Sequence, residues 1–182
     1  LWTLTALGKL LQEDERYEEA EKVYRESLET SRLALGNDAP HTITAMSNLG
    51  DLLYILARYD ETHELYLEAF QTSIKLHGPQ DPRHFRQMTN AAKALALRSE
   101  FHHAEDLLRQ VVEGNREIYG NEHYRTLVTI HNLGSLLMER GRYDEAEHFY
   151  REAMETRLSV LGNKHKDTQR SSLKLADNLR KR

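Results

Sequence analysis

The chain's 182 residues, 39% of them hydrophobic, are enough for one or two globular domains or for one array of repeats. Its formal net charge of −4 disfavours nucleic-acid binding, which needs a basic surface, and the lack of cysteine excludes disulfides and thiolate metal sites. No apolar run approaches the ~20 residues of a membrane span and no signal-peptide pattern is present, so we predict a cytoplasmic protein.

Helical periodicity begins with two predicted helices over 1–13 and 17–35. In the second helix the i, i+3, i+4, i+7 and i+8 positions of one face are Ala20, Val23, Tyr24, Ser27 and Leu28. Gly36 ends this helix, because glycine adopts the left-handed cap conformation without a steric penalty. The first helix starts within its apolar pattern and without Met, so we expect an excised segment whose targeting signals lie elsewhere.

Three further helix pairs and a last single helix follow. We predict the pairs over about 40–56 and 59–77, 82–98 and 101–119, and 124–139 and 143–161, and the last helix over 166–182. Asp81 and Pro82 suit the N-cap and the first position of the fifth helix. The last helix ends in basic residues and would solvate the end of an array as a cap. The alternative is that it is the first half of a truncated pair.

A spacing of 42 residues relates the pairs, because Gly36, Gly78, Gly120 and Gly162 share one register (162 − 120 = 42). The same subtraction aligns a leucine column (Leu7, Leu49, Leu133 and Leu175, with Ala91 as the exception) and a small-residue column (Gly8, Gly50, Ala92, Gly134 and Ala176). It also aligns the turn aromatics Tyr17, Tyr59, Phe101 and Tyr143. A fixed period of 20–50 residues marks a repeat array, which is stabilised by stacking of neighbouring units.

The small-residue column indicates closely crossing helices, since a glycine inside a helix costs about 1 kcal/mol relative to alanine. We expect the matching gap to come from the alanine column of the second helices (Ala20, Ala104 and Ala146, with Thr62 substituting). We expect the turn aromatics to fill the wedge between neighbouring pairs.

Leu-Gly, then an aromatic-x-x-Ala, then a further aromatic resembles the tetratricopeptide repeat. The longer period resembles the kinesin-light-chain type, with its motif at Gly120, His123, Thr126, Asn132-Leu133-Gly134, Gly141, Tyr143 and Glu145-Ala146-Glu147. The third copy departs most, with Ala91-Ala92 and Phe101-His102-His103. The resemblance implies an all-α fold, a right-handed superhelical solenoid of antiparallel helix pairs with a final capping helix. It implies one array over 1–182, with repeats at about 1–35, 36–77, 78–119 and 120–161 and a terminal helix at 166–182.

The resemblance also implies a concave groove, lined mainly by first helices, that binds an extended peptide or a partner segment. We expect this face to include Trp2, Thr5, Lys9 and Gln12; Thr44, Ser47, Asn48, Asp51 and Tyr54; Arg86, Thr89, Asn90, Lys93 and Ala96; and Val128, His131, Asn132, Ser135 and Met138.

The asparagine column (Asn48, Asn90 and Asn132) is the sharpest functional signal, because asparagine is an indifferent helix former. One interpretation is a ladder of amides that grips a peptide backbone, since each amide both donates and accepts. The other is that each asparagine bonds a neighbouring helix and serves packing only.

Charge and apolar residues on the same face leave the ligand open. Arg86, Lys93 and Lys9 favour an acidic peptide, whereas Asp51 opposes this, and a solvated mixed face is the alternative. Tyr54, Val128 and Met138 are candidate pockets for peptide side chains. For Val128, ordinary interhelix packing is the alternative.

Catalytic and metal chemistry find no support in the pattern. The ten histidines lack the His-x-x-x-His spacing, and no phosphate loop or nucleophile elbow is present. We therefore predict a non-enzymatic scaffold without metal or cofactor, which binds a protein or peptide but neither nucleic acid nor membrane. The alternative is a sensor or autoinhibitory repeat domain of a larger signalling ATPase or other enzyme. Self-association through the end faces is a further hypothesis.

Overall fold

A computed structural model describes residues 2–78, 81 and 84–182 of the chain, and nine helices with no strand occupy them. The helices are α1 (Trp2–Glu13), α2 (Tyr17–Leu35), α3 (Pro40–Ile55), α4 (Tyr59–His77), α5 (Phe85–Leu97), α6 (Phe101–Tyr119), α7 (Tyr124–Glu139), α8 (Tyr143–Leu161) and α9 (Lys166–Lys181). This confirms the predicted all-α repeat fold. None of these helices is both long enough and apolar enough to cross a membrane.

The fifth helix differs from its predicted bounds. It begins at Phe85, with His84 in the N-cap position and Asp81 outside the helix, whereas we expected a start near residue 82. Pro82, the expected first residue of this helix, lies outside the described residues.

The glycines between repeats have a positive φ, as predicted, but their ψ is extended and not that of the left-handed helical region. Gly36 has φ +87° and ψ 168°, and Gly120 has φ +85° and ψ 171°. This extended region at positive φ is accessible essentially to glycine alone. The N–H of Gly36 still donates to the carbonyl of Arg32, four residues back, so the glycine ends the helix as predicted.

The turn inside each pair also needs a positive φ, at a column that the sequence pattern did not mark. Glu15, Ala57, Ser99 and Gly141, each 42 residues apart, have φ of 59°, 57°, 62° and 72°. Only one of these four residues is glycine, so the other three pay the steric penalty of a side chain in the left-handed region.

The chain forms two compact units, Leu1–Ser99 (unit 1) and Glu100–Arg182 (unit 2). Within unit 1 the core is one cluster around Tyr24, Met46, Leu49 and Leu53. Unit 2 buries the equivalent positions, including Ile130, Leu133 and Tyr150. Each unit therefore has its own apolar core, built from the leucine and aromatic columns of the repeat.

Tyrosine rings, and not the alanine column, occupy the gap at the small-residue column. A Cβ added at Gly8 would lie 2.5 Å from Cε1 of Tyr24, and one at Gly50 would lie 2.6 Å from Cε1 of Tyr66. Our expectation that alanine supplies the matching gap was therefore wrong: a flat ring lies directly on the glycine backbone.

Ion pairs join the second helices of neighbouring repeats within each unit. In unit 1 they are Arg25–Glu61, Arg32–Glu68 and Arg58–Glu21, at 2.7–2.8 Å. In unit 2 the pairs 84 residues later are Arg109–Glu145 at 3.8 Å, Arg116–Glu152 at 2.6 Å and Arg142–Glu105 at 2.5 Å. The 42-residue alignment conceals this pattern, because the charges recur only in every second repeat.

Candidate functional site

Unit 1 has a cavity on the face formed by its first helices, which we call the first-helix face. The cavity has a volume of about 310 Å³ and is lined by Lys9, Gln12, Glu13, Tyr24, Asn48, Asp51 and Arg86. Five of these seven residues belong to the face predicted from the sequence. The lining is polar and carries both charge signs.

Arg86 occupies the centre of this polar network. Its Nη2 donates to Oδ1 of Asn48 at 2.9 Å and lies 3.1 Å from Oδ2 of Asp51. The hydroxyl of Tyr66 donates to the other carboxylate oxygen of Asp51 at 2.5 Å. Burial, followed by the Asp51 charge, raises the pKa of Tyr66, which therefore stays a hydrogen-bond donor. The positive charge of Arg86 is thus offset by Asp51 within the unit.

The asparagine column is buried in unit 1. Asn48 and Asn90 are 3% and 5% exposed, and the Nδ2 of each is buried without a hydrogen-bond partner in the part of the chain that the structure describes. A buried donor without a partner costs about 1–3 kcal/mol. The amide oxygen of Asn48 accepts a hydrogen bond from Arg86, which fits the packing interpretation. The Nδ2 groups of Asn48 and Asn90 make no hydrogen bond to a described residue, so each could still donate one to a ligand.

Tyr54 and Lys93 lie together on the same face. The Nζ of Lys93 is 6.0 Å from the centroid of the Tyr54 ring, within the range of a cation–π contact. Tyr54 also packs at 5.9 Å, in a tilted arrangement, against the turn aromatic Tyr59. The ring is 42% exposed, so one surface of it is accessible to a ligand.

In unit 2 the predicted residues fall at different depths. His131 is buried and meets the Tyr150 ring edge-on at 5.4 Å between centroids, whereas Asn132, Ser135 and Met138 are half-buried. Ser135 accepts a hydrogen bond from the Tyr150 hydroxyl at 3.0 Å and donates to the carbonyl of His131 at 3.1 Å.

Three cations near His131 were not among the predicted site residues. Burial lowers the pKa of His131 to about 4, and Arg157, Arg170 and Lys174 act in the same direction. His131 is therefore neutral at pH 7, and its buried Nδ1 has no hydrogen-bond partner among residues 2–78, 81 and 84–182. Arg157 lies on α8 and the other two lie on α9, whereas all the predicted site residues lie on α1, α3, α5 and α7.

The repeat register provides a signal for Arg170. It follows Asn132 by 38 residues and Ser135 by 35, as Arg86 follows Asn48 and Asp51 (86 − 48 = 38; 86 − 51 = 35). At the position of Asp51 unit 2 has Ser135, which carries no charge. Arg170 forms no ion pair with any described residue. Asp51 therefore offsets the charge of Arg86 in unit 1, whereas Arg170 of α9 has no such carboxylate among the described residues.

Two histidines between repeats bond to the backbone. Nδ1 of His123 accepts from the N–H of Arg125 at 3.3 Å, and Nδ1 of His165 accepts from the N–H of Asp167 at 3.2 Å. Each histidine thus caps the following first helix. Among residues 2–78, 81 and 84–182 no group of three His, Asp or Glu side chains could hold a metal ion.

Solved structures with this fold include two crystal structures of a candidate kinesin light chain of Podosopora anserina with nearly identical TPR-like repeats, one of them a point variant. These two share 19% identity with this chain, cover 100% of it and 85% or 86% of their own length, and have TM-scores of 0.81 and 0.80. BtubC (BKLC) from P. vanneervenii shares 20% identity over 98% of this chain and 71% of its own, with a TM-score of 0.79. These neighbours confirm the predicted kinesin-light-chain-like fold.

Sequence comparison gives the family directly. No curated protein matches the chain significantly. One tetratricopeptide-repeat family model matches residues 1–72 and 43–117, and a second matches residues 126–167. Because these matches cover most of the chain and agree with the fold, the chain belongs to the tetratricopeptide-repeat family.

Proposed function

We propose that this chain binds an extended peptide segment of a partner protein on the first-helix face of each unit. Tetratricopeptide repeats serve generally as protein-interaction scaffolds, and the fold is typically non-catalytic. The observation that carries the proposal is the pair of buried Nδ2 donors of Asn48 and Asn90 on this face, neither of which has a hydrogen-bond partner among the described residues.

In unit 1 a peptide carbonyl is the group that best satisfies these donors. A main-chain carbonyl is present at every residue of an extended peptide, so it suits donors that recur at a fixed repeat spacing. Arg86 covers Asn48, and its side chain is 46% exposed. We therefore expect Arg86 to swing aside when the peptide binds, while Asp51 keeps its bond to Tyr66.

In unit 2 the charge of α9 favours an acidic residue of the peptide. Arg170 is exposed and Lys174 is half-buried, and neither forms an ion pair within the described part of the chain. Carboxylates form strong charge-assisted hydrogen bonds with arginine. An acidic side chain would thus bind at α9, whereas in unit 1 Asp51 already offsets the charge of Arg86.

The test uses peptides selected on the wild-type chain from a random-sequence display library. Their affinities are then measured by calorimetry for the wild type and for the triple variant Asn48→Ala, Asn90→Ala, Asn132→Ala. We expect the triple variant to bind at least tenfold more weakly, which corresponds to about 1.4 kcal/mol. We also expect Arg170→Gln with Lys174→Gln to weaken only peptides that contain acidic residues.

A matched control lies on the second helices. Arg32→Gln with Glu68→Gln removes an exposed ion pair away from the first-helix face and should leave peptide affinity unchanged. If the triple asparagine variant binds the selected peptides as tightly as the wild type does, binding on the first-helix face is refuted.

A further inference from the structure

Arg157 of α8 is a buried cation without a counter-ion. The residue is 6% exposed, and its Nη1 donates a hydrogen bond to the hydroxyl of Ser171 in α9. This is its only side-chain hydrogen bond to a described residue, and Arg157 forms no ion pair in the part of the chain that the structure describes. Because arginine keeps its proton in proteins, unit 2 holds a buried positive charge at this position.

The fold does not require an arginine there. The counterparts of Arg157 in the 42-residue register are buried neutral residues, namely Ser31, Ser73 and Asn115. The Nδ2 of Asn115 donates to Thr129 of the following first helix, as Arg157 donates to Ser171. A small neutral side chain therefore completes the same packing, whereas a buried charge costs free energy unless it is paired. Packing alone thus does not account for Arg157.

Two further cations and a buried histidine lie close to Arg157. Burial lowers the pKa of His131 to about 4, and the charges of Arg157, Arg170 and Lys174 lower it further, which places all three near the ring. His131 is 7% exposed, and its Nδ1 makes no hydrogen bond to a described residue. Arg170 is exposed and Lys174 is half-buried. We call Arg157, Arg170 and Lys174 the unit 2 cation cluster; it lies where α8 and α9 meet His131 of α7.

Two carboxylates influence this cluster without pairing with it. Burial lowers the pKa of Arg157 and the charge of Asp167 raises it, whereas burial raises the pKa of Glu139 and the charge of Lys174 lowers it. Neither carboxylate forms an ion pair with a cluster residue among residues 2–78, 81 and 84–182. The cluster therefore retains an excess of positive charge.

The same columns of unit 1 are neutral overall. The residues 84 positions before the three cluster residues (157 − 84 = 73) are Ser73, Arg86 and Asn90. Asp51 pairs with Arg86, and its counterpart in unit 2 is Ser135. These positions thus hold one cation and one carboxylate in unit 1, but three cations and no carboxylate in unit 2. The difference points to an anionic ligand for unit 2.

We propose that the unit 2 cation cluster binds a phosphorylated side chain of the peptide ligand, a phosphoserine or a phosphothreonine. A phosphate monoester carries a charge of about −1.5 to −2 at pH 7 and has three acceptor oxygens, so it matches three cations better than one carboxylate does. Arg170 and Lys174 can contact these oxygens from the surface, and buried Arg157 adds a charge that solvent screens little. The inference rests on the proposed peptide binding for the source of the phosphoryl group, whereas the cluster itself involves no asparagine.

The first measurement uses a peptide selected on the wild-type chain, in which each position in turn carries phosphoserine, glutamate or serine. Affinities are measured by calorimetry at constant ionic strength. We expect at least one position where the phosphoserine version binds at least tenfold more tightly than the glutamate version. If glutamate binds as tightly as phosphoserine at every position, the proposal is overturned.

Two variants test the cluster itself. Arg157→Asn introduces the side chain that Asn115 has one repeat earlier, and Ser135→Asp supplies the carboxylate that pairs with Arg86 in unit 1. We expect each variant to lose the tenfold preference for phosphoserine over glutamate. The matched control Arg151→Gln removes an exposed arginine of the same helix and should keep this preference. Circular dichroism checks that each variant is folded, and a preference that persists in both cluster variants overturns the proposal.

Inorganic phosphate separates this inference from the peptide-binding proposal. Titrating the wild-type chain with phosphate requires no peptide, and we expect weak binding that Arg157→Asn and Ser135→Asp abolish. That result supports the cluster even where the triple asparagine variant refutes peptide binding on the first-helix face. Absence of phosphate binding by the wild type, or equal binding by both variants, overturns the cluster and leaves the asparagine test unaffected. Phosphate that binds as tightly as the phosphoserine peptide would overturn the peptide as the source of the phosphoryl group.

Discussion

Replacing Gly50 by alanine places a methyl group against a fully buried ring. The new Cβ would lie 2.6 Å from Cε1 and 2.8 Å from Cδ1 of Tyr66, far inside van der Waals contact. The ring cannot turn aside without losing the bond from its hydroxyl to Asp51. Overpacking costs about 1–3 kcal/mol and a hydrogen bond to a charged group contributes about 1.5–3 kcal/mol, whereas alanine regains about 1 kcal/mol of helix propensity. We expect a net loss of about 2 kcal/mol, taking the lower parts of these ranges.

The double-mutant cycle with Tyr66→Leu isolates this contact. The sequence already contains such an exchange, because the third copy has Ala92 at the glycine position and Leu108 at the tyrosine position. In the Tyr66→Leu background we expect Gly50→Ala to stabilise the chain by about 1 kcal/mol, the helix propensity alone. The coupling between the two sites is then about 3 kcal/mol.

The assay is urea unfolding followed by far-UV circular dichroism. Gly134→Ala provides a graded comparison, because its Cβ would lie 3.1 Å from the Tyr150 ring and should cost less than Gly50→Ala. Equal effects of Gly50→Ala in the Tyr66 and Tyr66→Leu backgrounds would show that the ring does not require the glycine, and would refute the reasoning.

Three further predictions concern stability. Ala57→Gly should stabilise the chain by about 1 kcal/mol in urea unfolding, because glycine adopts a φ of 57° without the steric strain of a side chain. The control Ala34→Gly, at an exposed position of α2, should destabilise the chain by about 1 kcal/mol. His131 has a folded pKa of about 4 against 6.5 unfolded, so its contribution is complete above pH 6.5 and falls by about 2 kcal/mol at pH 5. His131→Gln should remove this pH dependence of the unfolding free energy, and the exposed control His103→Gln should not. Glu105→Gln should lower the free energy of unfolding by about 2 kcal/mol, because this nearly buried carboxylate accepts hydrogen bonds from three arginines. Glu21 has two arginine partners and is more exposed, so Glu21→Gln should lower it by about 1 kcal/mol. Equal losses for the two glutamates would contradict the role assigned to burial.

The helices themselves were predictable because each boundary has a local cause. Apolar periodicity and a following glycine define α2, α6 and α8 to the residue. The positive φ of Ala57 was not predicted, because only Gly141 in its column has the residue type that reveals a positive φ. The start of α5 differed because His84 stands where the other repeats have threonine, so the local pattern there was weakest.

The candidate site was predictable only in part. The repeat alignment predicts that Asn48, Asp51 and Arg86 lie on one face. It does not predict which of their side chains pair across neighbouring helices. The sequence indicates opposing charges at Arg86 and Asp51 but not that the two side chains pair, as they do in the structure. Arg170 occupies the position of Arg86 in the repeat, but Ser135 stands where Arg86 has Asp51. This difference becomes informative only once the Arg86–Asp51 ion pair is known. The residues assigned to peptide binding remain a prediction.

The most direct test of the central claim is hydrogen exchange of the wild-type chain with and without a peptide selected on it. We expect the bound peptide to slow amide exchange in the first helices of a unit, α1, α3 and α5 or α7 and α9, and to leave the exposed faces of the second helices unchanged. Protection confined to α2, α4, α6 or α8 would contradict the account.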